Sequence, residues 1–473
     1  MKRCLLVVVA GLLAAAGCLL EEKVVWSPDG RRAAVIAPDG LYLCDGEGTL
    51  SPCVAEKVKA AAWLPDSKRL VVAREQPPLK MWKDVAAFID EGAAKEVMES
   101  AARLRQEILA YQGEPGKFEP GKFVEEMAPN RVVLLAMYLR DNLAEGLPEK
   151  LGPEKWKEVQ GVEAPVFSLE VGEVEGAAVK FQAPVRLLHA PAYLRVSPNG
   201  RNVAYVTNSA LPKGEWALFV ASLGGGPPRL VAENVALFAD WSADGRFLAY
   251  ARATGPAPAS QADLRLGTIS RRMVCDAEGK VLETFEKAAD LAGLLFQYDL
   301  KVRCLRDGRI LFAAASVQLP STAADMPIRM TLFAVDPQRP TTLVRLLPRS
   351  AETEVPQGAN YFEVSPDEQR VSIPGPQGVA VVALATGAIE EALADGGYGV
   401  FFVPTWRSPQ ELCFAVEKGA KLGSPNRREV VLWSSDGARL LSKTWTDEMI
   451  TALLKKQGDP EPQKPPAPEA PGK

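Results

Sequence analysis

The chain has 473 residues, of which 47% are hydrophobic and 24% are charged, and this ordinary globular composition excludes a mostly disordered, collagen-like or polytopic membrane protein. The formal net charge is −4, so there is no basic excess to neutralise phosphates, which argues against nucleic acid as a partner. The single histidine, His189, argues against any mechanism built on a histidine cluster.

The N-terminus carries the pattern of a secretory signal. Its first residues, MKRCLLVVVAGLLAAAGC, give a short positive start and then an uncharged run with small residues near its end. The last four, Ala15 to Cys18, resemble the bacterial lipoprotein box, with alanine at 15 where leucine is usual. The resemblance implies that residues 1–17 are removed and Cys18 is lipidated, and the absence of aspartate after it implies the outer membrane. Cleavage after Ala16 and an uncleaved membrane anchor stay open as alternatives.

Two cysteines, Cys44 and Cys53, flank the turn-rich stretch DGEGTLSP. If the residues on either side pair as a hairpin, the two sulfurs are cross-strand neighbours, and an oxidising envelope then allows a disulfide. The alternative is two separate buried thiols. No CxxC pair occurs, so the sequence supports no zinc or redox motif.

The body of the chain repeats a short motif whose fullest form is Trp-Ser-Pro-Asp-Gly followed by an apolar run. The seven copies, some of them degenerate, begin at Trp26, Trp63, Val196, Trp241, Cys304, Val364 and Trp406. An apolar strand ends at a Trp or Val that can pack between neighbouring sheets, and proline, aspartate and glycine then turn the chain into a second strand. The residues to which we assign a structural role at these turns are Trp26, Ser27, Pro28, Asp29, Gly30, Trp63, Asp66, Trp241, Asp244, Gly245, Ser365, Pro366 and Asp367.

Two further strand-like runs follow most copies, such as Trp216–Leu223 and Pro228–Ala232, and four strands per unit make a propeller blade. The motif resembles the WD40-like (PD40) repeat of the TolB family of bacterial periplasmic β-propellers, over residues 22–75 and 165–446. We therefore predict an all-β fold, a β-propeller of seven four-stranded blades. Six blades are the alternative, because the Cys304 copy is poor and TolB-type propellers are usually six-bladed.

One spacing between copies is 133 residues, about 90 more than a blade of 40–45 residues needs. Residues 76–164 fill this gap and have a helical pattern, with Val97, Ala101 and Leu104 on one face. We predict a helical insertion between the second and third strands of blade two, with the tandem EPGKF-EPGKF as a loop. A pad over exposed hairpin edges, a partner-docking module or channel lid, and disorder are the open interpretations of this segment.

The predicted division of the chain has five parts. They are a lipoprotein signal peptide (1–17), blade one and the start of blade two (18–75), the helical insertion (76–164), the remaining blades (165–446), and a short helix with a proline-rich disordered tail (447–473).

Few features of the sequence support catalysis. No G-x-S-x-G elbow occurs, and a Ser-His-Asp triad would have to use His189, which is predicted to be a strand-end or loop residue. One histidine cannot build a multi-histidine metal site, and no EF-hand spacing of acids is present. A glycosidase needs only two facing carboxylates, so a carboxylate-pair glycoside hydrolase stays open as an alternative.

We therefore predict a non-catalytic cell-envelope lipoprotein whose TolB-like propeller is a scaffold or adaptor for another protein. The expected partners are envelope proteins and, through the lipid on Cys18, the periplasmic side of the outer membrane. No cofactor, metal or nucleic acid is expected. The alternatives are a glycan- or ligand-binding propeller and the carboxylate-pair hydrolase, because a propeller fold does not by itself fix a function.

Overall fold

Each of the seven motif copies forms the first hairpin of one antiparallel blade in the computed structural model, and the blades are those of a β-propeller. The structure describes residues 22–211, 215–253, 265–273, 287–290, 294–296, 301–315, 330–339, 343–346, 361–375, 378–392, 397–398, 402–418 and 427–454. Seven blades are confirmed, and the degenerate copy at Cys304 belongs to one of them. The predicted signal peptide, Cys18 and the chain after residue 454 lie outside the described residues.

Blades 1 to 3 follow one another along the chain. Blade 1 contains β1 (Val24–Trp26), β2 (Arg32–Ala37) and β3 (Gly40–Asp45). Blade 2 contains β4 (Val58–Trp63), β5 (Arg69–Leu79), β6 (Ala164–Glu175) and β7 (Ala178–Leu187). Blade 3 contains β8 (Ala192–Val196), β9 (Asn202–Thr207), β10 (Ala217–Ser222) and β11 (Arg229–Glu233). At the outer edge of blade 1, isolated bridges join Leu41 to Ala55 and Cys44 to Leu50 in place of the fourth strand that the repeat predicts.

Blades 4 and 5 form one continuous sheet. Blade 4 contains β12 (Val235–Trp241), β13 (Phe247–Ala253), β14 (Arg265–Met273) and β15 (Lys287–Asp290). Blade 5 contains β17 (Val302–Cys304), β18 (Ile310–Ala315), β19 (Met330–Val335) and β20 (Leu343–Arg345). The short strand β16 (Leu294–Phe296) pairs with both β14 and β18 and so connects the two blades.

Blades 6 and 7 complete the ring. Blade 6 contains β21 (Glu363–Val364), β22 (Arg370–Gly375), β23 (Gly378–Ala383) and β24 (Ile389–Ala392). Blade 7 contains β25 (Gly397–Tyr398), β26 (Thr405–Trp406), β27 (Leu412–Lys418), β28 (Arg427–Ser434) and β29 (Gly437–Leu440), with β25 and β26 both paired to β27. The blades therefore have three to five strands rather than a uniform four.

The motif turn folds locally because its polar side chains satisfy nearby backbone groups. In blade 1 the Ser27 hydroxyl donates to Asp29 Oδ1 (2.6 Å), and that carboxylate accepts from the amide of Arg31 (3.1 Å). Gly30 has φ of +68°, a left-handed conformation that glycine adopts without a Cβ penalty. Because strands alternate in direction, all seven motif turns lie on one face of the disc, and the connections between second and third strands lie on the other.

Tryptophans of the motif join neighbouring blades. In three blades the indole nitrogen donates to a backbone carbonyl in the first strand of the preceding blade: Trp63 to Val25 (2.9 Å), Trp241 to Arg195 (2.8 Å) and Trp406 to Glu363 (3.0 Å). In blade 5 the thiol of Cys304 donates to the Asp240 carbonyl of blade 4 (3.6 Å). Cysteine thus replaces the indole as a donor, which explains how the degenerate copy still fits the ring.

Five helices lie between β5 and β6, so the predicted helical insertion in blade two is confirmed. They are α1 (Trp82–Ala86), α2 (Glu91–Ala110), α3 (Lys122–Glu125), α4 (Pro129–Asn142) and α5 (Leu147–Gln160). Strand β5 continues to Leu79, so residues 76–79 belong to the blade rather than to the insertion. The second EPGKF copy also differs from the expectation of a loop, because its Lys122 and Phe123 begin α3.

The insertion has its own apolar core and a fastened base. Val97, Leu104 and other apolar residues of its helices are buried against one another. At the base, the Arg140 guanidinium donates to the Val162 carbonyl (2.7 Å), beside the exit of the chain into β6, and to the Lys80 carbonyl at its entry. Arg140 also pairs with Asp141 (2.7 Å). One half-buried side chain therefore holds both ends of the insertion together.

The ring closes between blades 1 and 7, which share no strand in the described part of the chain. Side chains of blade 7 bridge the junction instead: Thr405 Oγ1 donates to the Val24 carbonyl (2.9 Å), and Arg407 Nε donates to the Gly30 carbonyl (3.0 Å). A C-terminal helix, α6 (Asp447–Leu453), packs in the same apolar core as β1, β2, β27 and β28. Closure therefore depends on side chains and one helix rather than on a backbone ladder.

Cys44 and Cys53 are separate free thiols, so the structure contains no disulfide between them, and Cys44 is buried whereas Cys53 is exposed rather than buried as the second alternative expected. The backbone of Cys44 forms an isolated β-bridge with Leu50, so Cys53 lies three residues beyond the residue that is opposite Cys44. The sulfur of Cys53 lies against Gly40 instead. Among the described residues, none of the helices has the length and apolar character needed to cross a membrane.

Candidate functional site

The residue directly before each motif copy lies on the innermost strand of its blade. These first strands contact one another around the ring, which places the seven positions beside the propeller axis. They are Val25, Ala62, Arg195, Asp240, Arg303, Glu363 and Thr405. The four positions from blades 3 to 6 alternate between positive and negative charge, whereas those from blades 7, 1 and 2 are uncharged. We call the charged side of this ring, together with Glu22 and Lys301, the axial cluster.

Arg303 lies between two carboxylates of the axial cluster. Its Nη1 is 3.3 Å from Asp240 Oδ1, and its Nη2 is 3.9 Å from Glu363 Oε1. The other oxygen of Asp240 accepts from the Cys304 amide at 2.8 Å. Burial lowers the pKa of Arg303, but the carboxylates of Asp240 and Glu363 outweigh it and raise that pKa above its usual value. The blade 5 guanidinium therefore stays charged and links blades 4 and 6 across the axis.

Glu22 enters the axial cluster from the segment before β1. Arg195 binds its carboxylate with two nitrogens, at 2.9 Å and 2.5 Å, in the fork geometry that makes arginine–carboxylate pairs strong. Lys301 Nζ lies 3.8 Å from the same carboxylate. Burial raises the pKa of Glu22, but the charge and hydrogen bonds of Arg195, with Lys301 and Arg303, outweigh it and hold the pKa at about 2. Glu22 is therefore ionised at any physiological pH.

Lys301 is almost fully buried, with 1% of its side chain exposed. Its ammonium group pairs with Glu363 and lies 5.2 Å from the ring centroid of Phe238. Burial is the main cause of its lowered pKa, which the Glu363 carboxylate partly opposes. Tyr193 and Tyr361 pack on Phe238 at centroid distances of 4.4 Å and 6.1 Å, so an aromatic layer lies beside the charged one.

The axial cluster contains three acids and three bases, so its formal charge is zero. Glycoside hydrolysis requires one carboxyl group that remains protonated as a general acid. Burial raises the pKa of Glu363, but Lys301, Arg303 and Arg195 outweigh it and lower that pKa below its usual value. Glu22 and Glu363 are thus suited to pairing with cations rather than to proton donation. The described residues also contain no group of three His, Cys, Asp or Glu side chains that could hold a metal.

His189 lies in the loop after β7, where the sequence places it. Its Nε2 is 2.9 Å from the Tyr205 hydroxyl, and its ring stacks on Phe219 with centroids 5.1 Å apart. Burial lowers the pKa of His189 to about 4. The imidazole is therefore neutral and part of an aromatic cluster between β7, β9 and β10.

Besides the axial cluster, a second candidate site is a cavity of about 560 Å³ in the helical insertion. Its floor consists of apolar side chains from α2, α4 and α5, including Leu104, Leu139 and Val159. One wall is formed by residues 116–120 of the EPGKF tandem, and Trp156 forms another. This volume lies within the 300–1,000 Å³ that is usual for small-ligand pockets. We call it the insertion cavity.

The predicted turn residues and the axial cluster are adjacent but distinct. Ser27, Asp29, Asp244 and Asp367 lie in the motif turns, where their side chains bond within the turn. The charged residues of the ring lie one residue before the motif, and the motif-based prediction of functional residues did not include them. A usable signal was present, because Arg195, Asp240, Arg303 and Glu363 occupy the same register in four successive copies.

The seven blades arranged around the axial cluster define the class of this protein by its fold, a seven-bladed β-propeller. No protein-family model matches the chain, and no curated protein matches it. Among solved structures it is similar to TolB from Acinetobacter baumannii, at 14% identity and a TM-score of 0.36, over 58% of this chain and 59% of that one. It is also similar to an oligogalacturonate lyase from Vibrio parahaemolyticus (12%, TM-score 0.38, 75% and 73%) and to dipeptidyl peptidase 4 from Porphyromonas gingivalis (10%, TM-score 0.40, 94% and 56%). The chain thus spans little more than half of the TolB and peptidase chains, and at these identities the likeness concerns the fold alone.

Proposed function

We propose that this chain is a non-catalytic scaffold that binds another protein through the helical insertion of blade 2. The observation that carries this proposal is the insertion cavity, an open apolar recess in a separately packed helical body. Binding energy at protein interfaces concentrates in a few large side chains that fill such recesses. A bulky apolar side chain of the partner would occupy the cavity, and the wall from residues 116–120 would border it.

Exposed apolar side chains elsewhere on the insertion also support it as the docking surface. Among the described residues, five large hydrophobic side chains are exposed, and three of them belong to the segment that leads into and forms the insertion: Met81 (43%), Phe88 (40%) and Met98 (42%). An excess of exposed apolar side chains in one part of a protein is typical of interaction sites. The Arg140 contacts at the base hold this surface in a fixed position on the propeller.

The proposal extends to the cell envelope. If residues 1–17 are a lipoprotein signal, as their resemblance implies, the scaffold is tethered through a lipid on Cys18 and its partner is an envelope protein. Metabolic labelling with a radioactive or clickable fatty acid tests the anchor separately from the scaffold. We expect label on the wild-type chain and none on Cys18→Ser. Equal labelling of the two proteins would reject the anchor and leave the binding function open.

The docking surface is tested by site-specific photo-crosslinking in cells. A benzophenone amino acid at position 98 is expected to give a discrete crosslinked product, whereas the same group at Leu230, which is 41% exposed on blade 3, is expected to give none. Phe88→Glu should reduce the yield from position 98 at least tenfold, while Leu230→Glu should leave it unchanged. Equal products from positions 98 and 230, or a yield that Phe88→Glu does not change, would contradict the proposal.

A further inference from the structure

Glu22 differs from the other members of the axial cluster in how the fold holds it. The backbone pairing of blade 1 starts at Lys23, where the Ile36 amide donates to the Lys23 carbonyl (2.8 Å). Glu22 precedes this bond and contacts the propeller through its carboxylate. Withdrawal of Glu22 would therefore leave the sheet of blade 1 intact.

The positions that bind Glu22 belong to the rigid part of the ring. Arg195 lies in β8 of blade 3, with its carbonyl fixed by Trp241 of blade 4. Lys301 directly precedes β17 of blade 5 and is held by Glu363 and by the ring of Phe238. Both cations are thus positioned by contacts that do not involve Glu22, and they converge on its carboxylate from two blades.

The charge balance of the axial cluster indicates which kind of ligand the cluster would bind if Glu22 were withdrawn. The remaining members are three bases, Arg195, Lys301 and Arg303, and two acids, Asp240 and Glu363, so one positive charge is uncompensated. The guanidinium fork of Arg195 would then face the axis without the carboxylate that it binds at 2.9 Å and 2.5 Å. A buried charge that loses its partner is strongly destabilising, so a replacement carboxylate is favoured.

We propose that Arg195 and Lys301 form a carboxylate-binding site on the propeller axis, which Glu22 occupies in cis and which a carboxylate of another molecule occupies when Glu22 is withdrawn. The N-terminal segment is then an internal competitor of an external acidic ligand. This site is independent of the insertion cavity. An experiment that rejects the carboxylate-binding site would therefore leave the proposed scaffold function unaffected.

Rescue by acetate tests this site in the full-length protein. Glu22→Ala should lower the thermal midpoint by roughly 3–6 °C, because it leaves Arg195 buried without its partner. Added acetate should restore the midpoint with a saturating dependence on concentration, measured against chloride at equal ionic strength. The wild-type protein, whose site is occupied, should show no such response, and neither should the double variant Glu22→Ala/Arg195→Ala.

A matched pair elsewhere in the chain supplies the control. Asp141 pairs with Arg140 at 2.7 Å, and their side chains are 11% and 14% exposed, close to the 13% and 16% of Glu22 and Arg195. Asp141→Ala should lose stability without a saturating response to acetate, because Arg140 still donates to the carbonyls of Lys80, Gln160 and Val162. If Glu22→Ala fails to fold, its refolding yield as a function of acetate gives the same readout. An unresponsive Glu22→Ala, or an equal response from Asp141→Ala, would overturn the proposal.

Discussion

Three charged residues of the axis are held in position by donors in the next blade. In three of the four charged residues that precede a motif copy, the carbonyl accepts a hydrogen bond from the first motif residue of the next blade: Arg195 from Trp241, Asp240 from Cys304 and Glu363 from Trp406. These bonds fix the backbone of the charged residue, so its side chain starts from a defined point beside the axis. The contacts that join the blades therefore also organise the axial cluster.

His189 should make the stability of the protein depend on pH in a simple way. The folded imidazole has a pKa of about 4, below the value of about 6.5 in an unfolded chain. A depressed pKa means that the unfolded state binds the proton first, so stability is complete above pH 6.5 and falls as the pH decreases toward 4. His189 is the only histidine, so no other side chain of its type titrates in this window.

The thermal midpoint of the wild-type protein, measured between about pH 7.5 and 5, should therefore decrease on acidification. His189→Gln, which keeps a group able to bond to the Tyr205 hydroxyl, should have a flatter profile over the same range. A wild-type midpoint that does not change between pH 6.5 and 5, or a variant with an equally steep profile, would show that His189 is not the group responsible.

On the scale of one element, the motif turn has two separable requirements. Gly30 and Gly308 occupy the same position in blades 1 and 5, with φ of +68° and +88°. A Cβ at Gly30 would lie 2.4 Å from the Arg407 carbonyl oxygen of blade 7, whereas a Cβ at Gly308 would have no atom within 4 Å. Gly308→Ala therefore tests the backbone conformation alone, and Gly30→Ala adds a clash at the ring closure.

We expect Gly308→Ala to cost about 1–2 kcal/mol, the usual penalty for alanine in the left-handed region. Gly30→Ala should cost at least twice as much, because a backbone carbonyl cannot rotate away as a side chain can. The measurement is the free energy of unfolding in urea or, if unfolding is irreversible, the shift in thermal midpoint. Equal losses in the two variants would mean that blade 7 does not constrain this turn.

These elements also show which features a sequence can predict. The hairpins depend on residues within five positions of one another, as in Ser27 and Asp29, so the repeat alone predicts seven of them. Glu22 and Arg195 are 173 positions apart, and their pairing depends on how the ring closes. The insertion cavity likewise depends on how α2, α4 and α5 pack, which the periodicity of each helix does not determine.

A degenerate copy of the motif can keep the function of the motif through different residues, which makes the number of blades harder to predict from the sequence. The Cys304 copy counted against a seventh blade because it lacks tryptophan, serine and proline. Its thiol nevertheless donates to the Asp240 carbonyl, and its Asp307 still accepts from the Arg309 amide (3.0 Å). The two functions of the motif, donation to the preceding blade and closure of the turn, are both kept by other residues.

For the whole molecule, the junction of blades 1 and 7 is the place where the ring can open. Leu453 of α6 is buried there to 1% exposure, whereas Glu448 on the same helix is exposed. Leu453→Ala should lower the free energy of unfolding by roughly 2–5 kcal/mol, the range for a truncated core leucine. Glu448→Ala should change it by no more than about 0.5 kcal/mol. Comparable effects of the two substitutions in thermal or urea denaturation would show that α6 does not seal the junction.

The position of Glu22 also determines how any N-terminal attachment carries the disc. The side chain of Glu22 binds at the centre of the ring, and β1 begins on the face that bears the insertion. Three residues lie between Cys18 and Glu22, and the four Cα-to-Cα steps that join them span at most about 14 Å in a fully extended chain. A tether fixed at Cys18 would therefore hold the propeller at its central axis rather than at its rim. All seven blades would then lie at a similar distance from the point of attachment.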